Sequence, residues 1–117
     1  MAAHEHGTFA ALSEEEVYPG VRRRTFSSAK ATVNSYAFAP GGAFPIHRHP
    51  TEQLTFIQEG SVELTVAAET TSLTAGAWSV IAPSVEHGIT AGPAGALILT
   101  IAVPRRDRVD DYEVIRP

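Results

Sequence analysis

The chain has 117 residues, 44% of them apolar and 19% charged, with a formal net charge of -4 and no cysteine. That length suits one domain with a single core, and the composition excludes wholesale disorder. Without cysteine there are no disulfides or thiolate sites, so a metal would need imidazole, carboxylate, amide or water; the acids, gathered towards both ends, give no electrostatic reason to expect nucleic acid or an anionic membrane as partner.

The opening MAAHEHGTFAALSEEE lacks the basic start and long apolar run of a secretory signal, so cytoplasm is the expected location. Residues 1–16 are expected to form an N-terminal extension, partly mobile, on a domain spanning 1–117. Within it His4 and His6 are read as incidental. Residues 12–17 look helical, because Ser13 and Glu16 have the spacing of a capping box.

From there the chain reads as short strands between turns. VRRRTF and ATVNSYAFA favour strands, the second ending at Pro40-Gly41-Gly42, where proline sets a turn and glycine permits positive φ. Residues 54–58 follow, then SVELTVAA, in which Val62, Leu64 and Val66 alternate with Glu63 and Thr65 at the period of a half-buried strand. Further strands are expected at 79–82, 88–90, 96–103 and 112–115. The longest uncharged run, 88–104, is broken by Gly92, Pro93 and Gly95 and should not span a membrane. Many short strands without a sustained helical period predict an all-β sandwich or barrel.

The chemistry concentrates in FPIHRHPTEQLTFIQEG, residues 44–60. On a strand, i and i+2 share a face, so His47 and His49 can present two imidazoles to one point while Arg48 faces away. Imidazole nitrogens bind Zn, Ni, Mn, Fe or Cu, and a usable site needs a third and usually a fourth ligand. Glu52 and Gln53 are both candidates; strict alternation puts Gln53 on the histidine face, although Pro50 can bend the strand and upset the count. His87, delivered by AGAWSVIAPSVEH, is the candidate from a distant segment.

Together these stretches resemble the cupins. Gly41, His47-x-His49, Gln53 and Gly60 match the first cupin motif in kind and spacing, and Gly76, Pro83 and His87 in GAWSVIAPSVEHGI match the second. The resemblance implies an all-β single-domain cupin β-barrel, or jelly roll, often homodimeric. Its lumen would carry one divalent transition metal held by His47, His49, Gln53 and His87, and would hold the substrate. Among cupins the chain is most similar to small members carrying His-x-His-Pro-His-Glu-Gln, including pectin- and alginate-degradation proteins. It departs from them at Thr51, where they carry a histidine, at Thr100, where they carry an aspartate, and at Ala102, where they carry a phenylalanine. An arginine of that group persists as Arg105 or Arg106.

Three neutral imidazoles and one neutral amide leave the +2 charge of an ion uncompensated, which suits Lewis-acid chemistry on a small carbonyl-containing or anionic substrate. The resulting expectation is a lyase, isomerase or cyclase. A metal-dependent dioxygenase and a non-catalytic small-molecule-binding cupin are the alternatives, since a fold does not fix a function. Arg22 and Arg24 share a face opposite to Arg23, so one set is expected to line the lumen and the other to be solvated.

Overall fold

The computed structural model describes residues 3–108 and 111–116. Among these, nine strands follow a short 3-10 helix at Phe9–Ala11: β1 (Glu15–Tyr18), β2 (Val21–Ser27), β3 (Thr32–Phe38), β4 (Ala43–Arg48), β5 (Glu52–Val66), β6 (Glu69–Thr74), β7 (Trp78–Ile81), β8 (His87–Val103) and β9 (Glu113–Arg116). The all-β expectation holds, and the sheet is curled into a half-barrel.

Two long strands set its shape. β5 and β8 run antiparallel along their whole lengths, from Glu52 opposite Val103 to Val66 opposite His87. The first half of β5 and the second half of β8 lie between β7 on one side and β3, β2 and β1 on the other. Their remaining halves lie between β6 and the pair β4 and β9. The bend between the two halves falls where the register shifts between Ile57 and Glu59 and between Gly60 and Val62, with Gly95 near Gly60. Both glycines have positive φ, +77° and +76°, a conformation that costs a residue with a Cβ about 1–2 kcal/mol.

Alternation sends one side of each strand into the concavity. Val21 and Phe38 are buried there with Phe44, Ile57, Val62, Ala91 and Ile98 as one apolar cluster. A more polar row crosses the same inner face, where Asn34 stands opposite Thr25 on one side and Thr100 on the other, and Thr100 opposite Thr55. The Thr25 hydroxyl donates to Asn34 Oδ1 at 2.6 Å, so the buried amide oxygen is satisfied.

Several local expectations are corrected. Residues 12–17 are not helical: β1 occupies Glu15–Tyr18, with Glu15 opposite Arg23 and Glu16 opposite Arg22. Arg23 donates to Glu15 Oε1 from Nε at 3.2 Å and from Nη2 at 2.5 Å, a cross-strand charge pair that outweighs the weak capping signal. The runs at 54–58 and 61–68 belong to one strand, as do those at 88–90 and 96–103, because glycine at the bend lets the ladder continue. β6 has a Thr-rich sequence without apolar alternation; side-chain pairs such as Ser72 donating to Glu63 at 2.6 Å tie it to β5. VRRRTF forms β2, as expected, and lies between β1 and β3.

Gly60 gives a direct test of the bend. A Cβ there would overlap the Gly95 carbonyl oxygen and meet Ala96 Cα at 3.0 Å, whereas one at Gly41, also at positive φ (+71°), would meet nothing within 4 Å. Gly41→Ala should therefore lose about 1 kcal/mol in urea unfolding, and Gly60→Ala at least about 1 kcal/mol more. Equal losses would show that the bend tolerates a side chain.

Candidate metal centre

His47 is placed by β4, and its cross-strand partner on β8 is His87. His49 lies just beyond β4, and its backbone carbonyl accepts a hydrogen bond at 2.8 Å from Ser84 N–H. Ser84 sits in the turn ahead of His87 with φ +65°. That bond clips the two histidine segments together. The ring centroids of His87 lie 4.2 Å from His47 and 4.8 Å from His49, and the nearest ring nitrogens of all three are within 4.8 Å of one another.

Each ring is anchored through Nδ1. His47 Nδ1 donates to Pro45 O at 2.8 Å, His87 Nδ1 to Val85 O at 2.9 Å and His49 Nδ1 to Thr51 O at 3.1 Å. A carbonyl oxygen can only accept, so Nδ1 carries the proton in every case and Nε2 is left with its lone pair directed into the site. His87 Nε2 is buried with no hydrogen-bond partner. His49 Nε2 lies 2.9 Å from Gln53 Oε1, while Gln53 Nε2 donates to Thr55 Oγ1 at 3.0 Å. With the amide so oriented, two acceptors face each other, an arrangement that a cation relieves.

The electrostatics agree. Burial, with a smaller effect from His87, pushes the His47 pKa down to about 3. Burial also takes His87 down to about 4 and lowers His49, although the Gln53 oxygen favours the protonated form of His49. All three rings are neutral at pH 7, as ligands must be. Arg106 contributes to each of the three shifts, which puts its positive charge beside the site. Three buried histidines could hold a metal ion, and the donor set of neutral nitrogens with an amide oxygen suits a divalent transition metal.

Gln53 is half-buried and faces the histidines, whereas Glu52 is exposed, so the alternation of the strand survives Pro50. Thr51 is buried, with Oγ1 3.0 Å from His49 Nδ1, and therefore helps to orient that ring. Of the two late arginines, Arg106 is next to the site. Its backbone N–H donates to Thr32 Oγ1 at 3.0 Å and its Nη2 to Asp111 O at 2.7 Å. Arg105 is exposed and reaches Ser28 O. Arg22 and Arg24 pair with Glu14, and Arg24 also donates to the carbonyls of Phe9, Ala10 and Leu12. Arg23 is the one that points inward, its side chain 1% exposed.

Two residues at the site are not apparent from local sequence. The Tyr112 ring lies 5.3 Å from His47 and 5.4 Å from Phe44, and its hydroxyl is hydrogen-bonded to that of Tyr18 at 3.1 Å. Tyr112 is brought there by β9 pairing with β4 over a long sequence separation, and Tyr18 ends β1, which pairs with the adjacent β2 as a hairpin. A cavity of about 40 Å³ adjoins the histidines, lined among others by Tyr36, Phe44, Gln53, Thr55 and Thr100.

Comparison with known proteins gives one consistent answer. The Cupin_2 model, a cupin domain, matches residues 34–102. An RmlC-like cupin from Shewanella frigidimarina is 24% identical, with a TM-score of 0.80 over 89% of this chain and 95% of that one. KdgF from Halomonas sp. is 23% identical, with a TM-score of 0.78 over 87% of this chain and 97% of its own. Oxalate decarboxylase from Bacillus subtilis is 17% identical, with a TM-score of 0.83 over 95% of this chain but 34% of the longer enzyme. No curated protein matches the chain in sequence. At these identities the solved structures establish the fold alone, while the family model spans both histidine segments and more than half the chain: it belongs to the cupin domain family.

Proposed function

We propose that this cupin acts as one unit of 117 residues, holding one divalent transition metal through Nε2 of His47, His49 and His87 and Oε1 of Gln53. In this reading it is a Lewis-acid lyase, isomerase or cyclase on a small carbonyl-containing or anionic substrate. The observation that carries the reading is the anchoring of all three Nδ1 atoms on backbone carbonyls, which fixes the tautomers and orients the rings before any ion arrives. When bound, the ion would polarise a carbonyl oxygen. The chain's own residues bind and shield: Arg106 offers positive charge beside the site for a carboxylate, Thr55 holds the Gln53 amide, and Phe44 and Tyr36 line the cavity and limit water.

A second reading has a specific observation in its favour. Among the described residues no carboxylate lines the cavity, and Thr100 stands where related small cupins carry an acid, which removes one ready proton carrier. That favours a binding module for a small chelating anion. A screen of small keto acids, uronates and phenols against metal-loaded protein, with and without oxygen, separates the readings. Turnover without oxygen supports the lyase or isomerase, oxygen uptake a dioxygenase, and tight binding without turnover the binding module.

Metal content tests the ligand set itself. The protein should carry one divalent metal per chain after dialysis, and His49→Ala should lose most of it. Gln53→Glu should keep or tighten binding, measured by competition with a chelator, because a carboxylate is the stronger ligand. Glu52→Gln should change affinity less than about threefold. Release of the metal by Glu52→Gln, with Gln53→Ala binding as tightly as wild type, would overturn the assignment.

We also propose a homodimer. The outer face of the sheet presents Val80, Leu54, Ile101, Val33 and Phe26 as one continuous row across five strands, with Trp78, Phe56 and Leu99 as the next. Trp78 and Val80 are 69% and 54% exposed. In this reading the apolar face packs against the same face of a second copy about a two-fold axis. Light scattering at micromolar concentration should give twice the chain mass, and Trp78→Glu combined with Val80→Lys should give the monomer mass without loss of secondary structure. A monomeric wild type would refute it.

A further inference from the structure

One row of the inner face carries more polar groups than its own hydrogen bonds use. Thr25, Asn34, Thr100 and Thr55 lie side by side across β2, β3, β8 and β5, and the last three are 2%, 6% and 1% exposed. Two positions along the same strands, Ile98 and Ile57 face one another and are just as buried, so this interior accepts branched aliphatic side chains. A buried hydroxyl or amide without a partner is costlier than the aliphatic group that could replace it.

The bonds within the row leave groups over. Asn34 Oδ1 takes the Thr25 hydroxyl at 2.6 Å, which turns Nδ2 to the other side of the amide, towards β8. Thr55 Oγ1 accepts from Gln53 Nε2 at 3.0 Å and keeps its own hydrogen to donate. Among the described residues, nothing hydrogen-bonds to Asn34 Nδ2 or to the Thr100 hydroxyl. Thr100 and Thr55 line the same cavity as His47, Gln53 and His87, so these neutral groups stand on the wall next to the candidate ligands.

We infer that Thr100, with Asn34 and Thr55, forms a subsite for a hydroxyl group of the ligand, and that the ligand class is a small carboxylate with a hydroxyl beyond its metal-binding end. The inference rests on the proposed reading of the centre, which assigns the carboxylate end to the ion. Charge separates the two ends. The row offers N–H and O–H donors and the lone pairs of Thr100 without a formal charge, which suits an O–H group that both donates and accepts. Such a group replaces solvent on these side chains and leaves none unpaired, whereas a methyl group in its place leaves them buried and unsatisfied, so the site discriminates against the deoxy ligand.

Lactate and glycerate test this, because both chelate through the same 2-hydroxy acid group and differ in one terminal hydroxyl. In zinc-loaded wild type, calorimetry should find glycerate bound about fivefold more tightly than lactate of the same hand. Thr100→Val should bring that ratio to about one with lactate affinity unchanged, and Thr100→Ser should keep it. The urea midpoint of Thr100→Val should equal or exceed that of wild type, because the hydroxyl makes no bond within the fold. Equal binding of the two acids by zinc-loaded wild type, or a ratio that survives Thr100→Val, would overturn the subsite and leave the metal centre standing. A lower urea midpoint for Thr100→Val would also overturn it, by showing that the hydroxyl holds the sheet. Failure of wild type to retain zinc would overturn the metal centre. The subsite then stands if glycerate but not lactate shifts the Asn34 side-chain amide signal in NMR spectra of the metal-free protein, and falls if both or neither do.

Discussion

The site depends on one cross-strand pairing, that of His47 on β4 with His87 on β8. Forty positions separate them in the chain, and neither segment carries enough donors to hold an ion alone. The pairing is fixed at a distance from the histidines. Phe44 opposite Ile89 and Leu64 opposite Ile89 bring β4 and β5 onto the same stretch of β8, and Phe44 and Leu64 are buried there. Between Phe44 and His47 the β4–β8 register shifts by one residue, which lets two residues three apart both face inward; burial of the apolar set fixes the strands before the shift, and the shift itself brings His47 opposite His87.

The backbone then completes what the register begins. Pro45, Val85 and Thr51 contribute carbonyl oxygens rather than side chains to the imidazoles, so the tautomers are set by strand geometry and by the turn at Ser84. Burial lowers the proton affinity of the rings, and among the described residues no carboxylate counters it. The centre is therefore neutral in its ligands and positive in its surroundings, with Arg106 adding charge of the same sign as an ion would. With an ion bound as proposed, both charges would favour anions and disfavour cations.

The metal-ligand candidates were legible in the sequence because they lie in two short segments with fixed spacing, and strand alternation favoured Gln53 over Glu52, as did the match to the first cupin motif. The overall β character was equally legible from alternation at β3 and in the second half of β5. The errors have physical causes. At Glu15 and Glu16 a local helical signal lost to arginines across the ladder. At Gly60 and Gly95 residues that usually end strands let two of them bend instead. Tyr112 carries no local mark, because its place beside His47 follows from β9 returning to β4; the choice between Arg105 and Arg106 likewise follows from a short segment without regular structure.

The antiparallel run of β5 against β8 also has a kinetic side. Val66 meets His87 first along the chain, and Glu52 meets Val103 last, so the ladder closes from a shorter loop towards a much longer one, and topologies of this kind fold slowly. His87 opens β8 at the near end of that ladder, so the end that carries the imidazole closes across a short loop and loses less chain entropy than the far end, where Glu52 must find Val103.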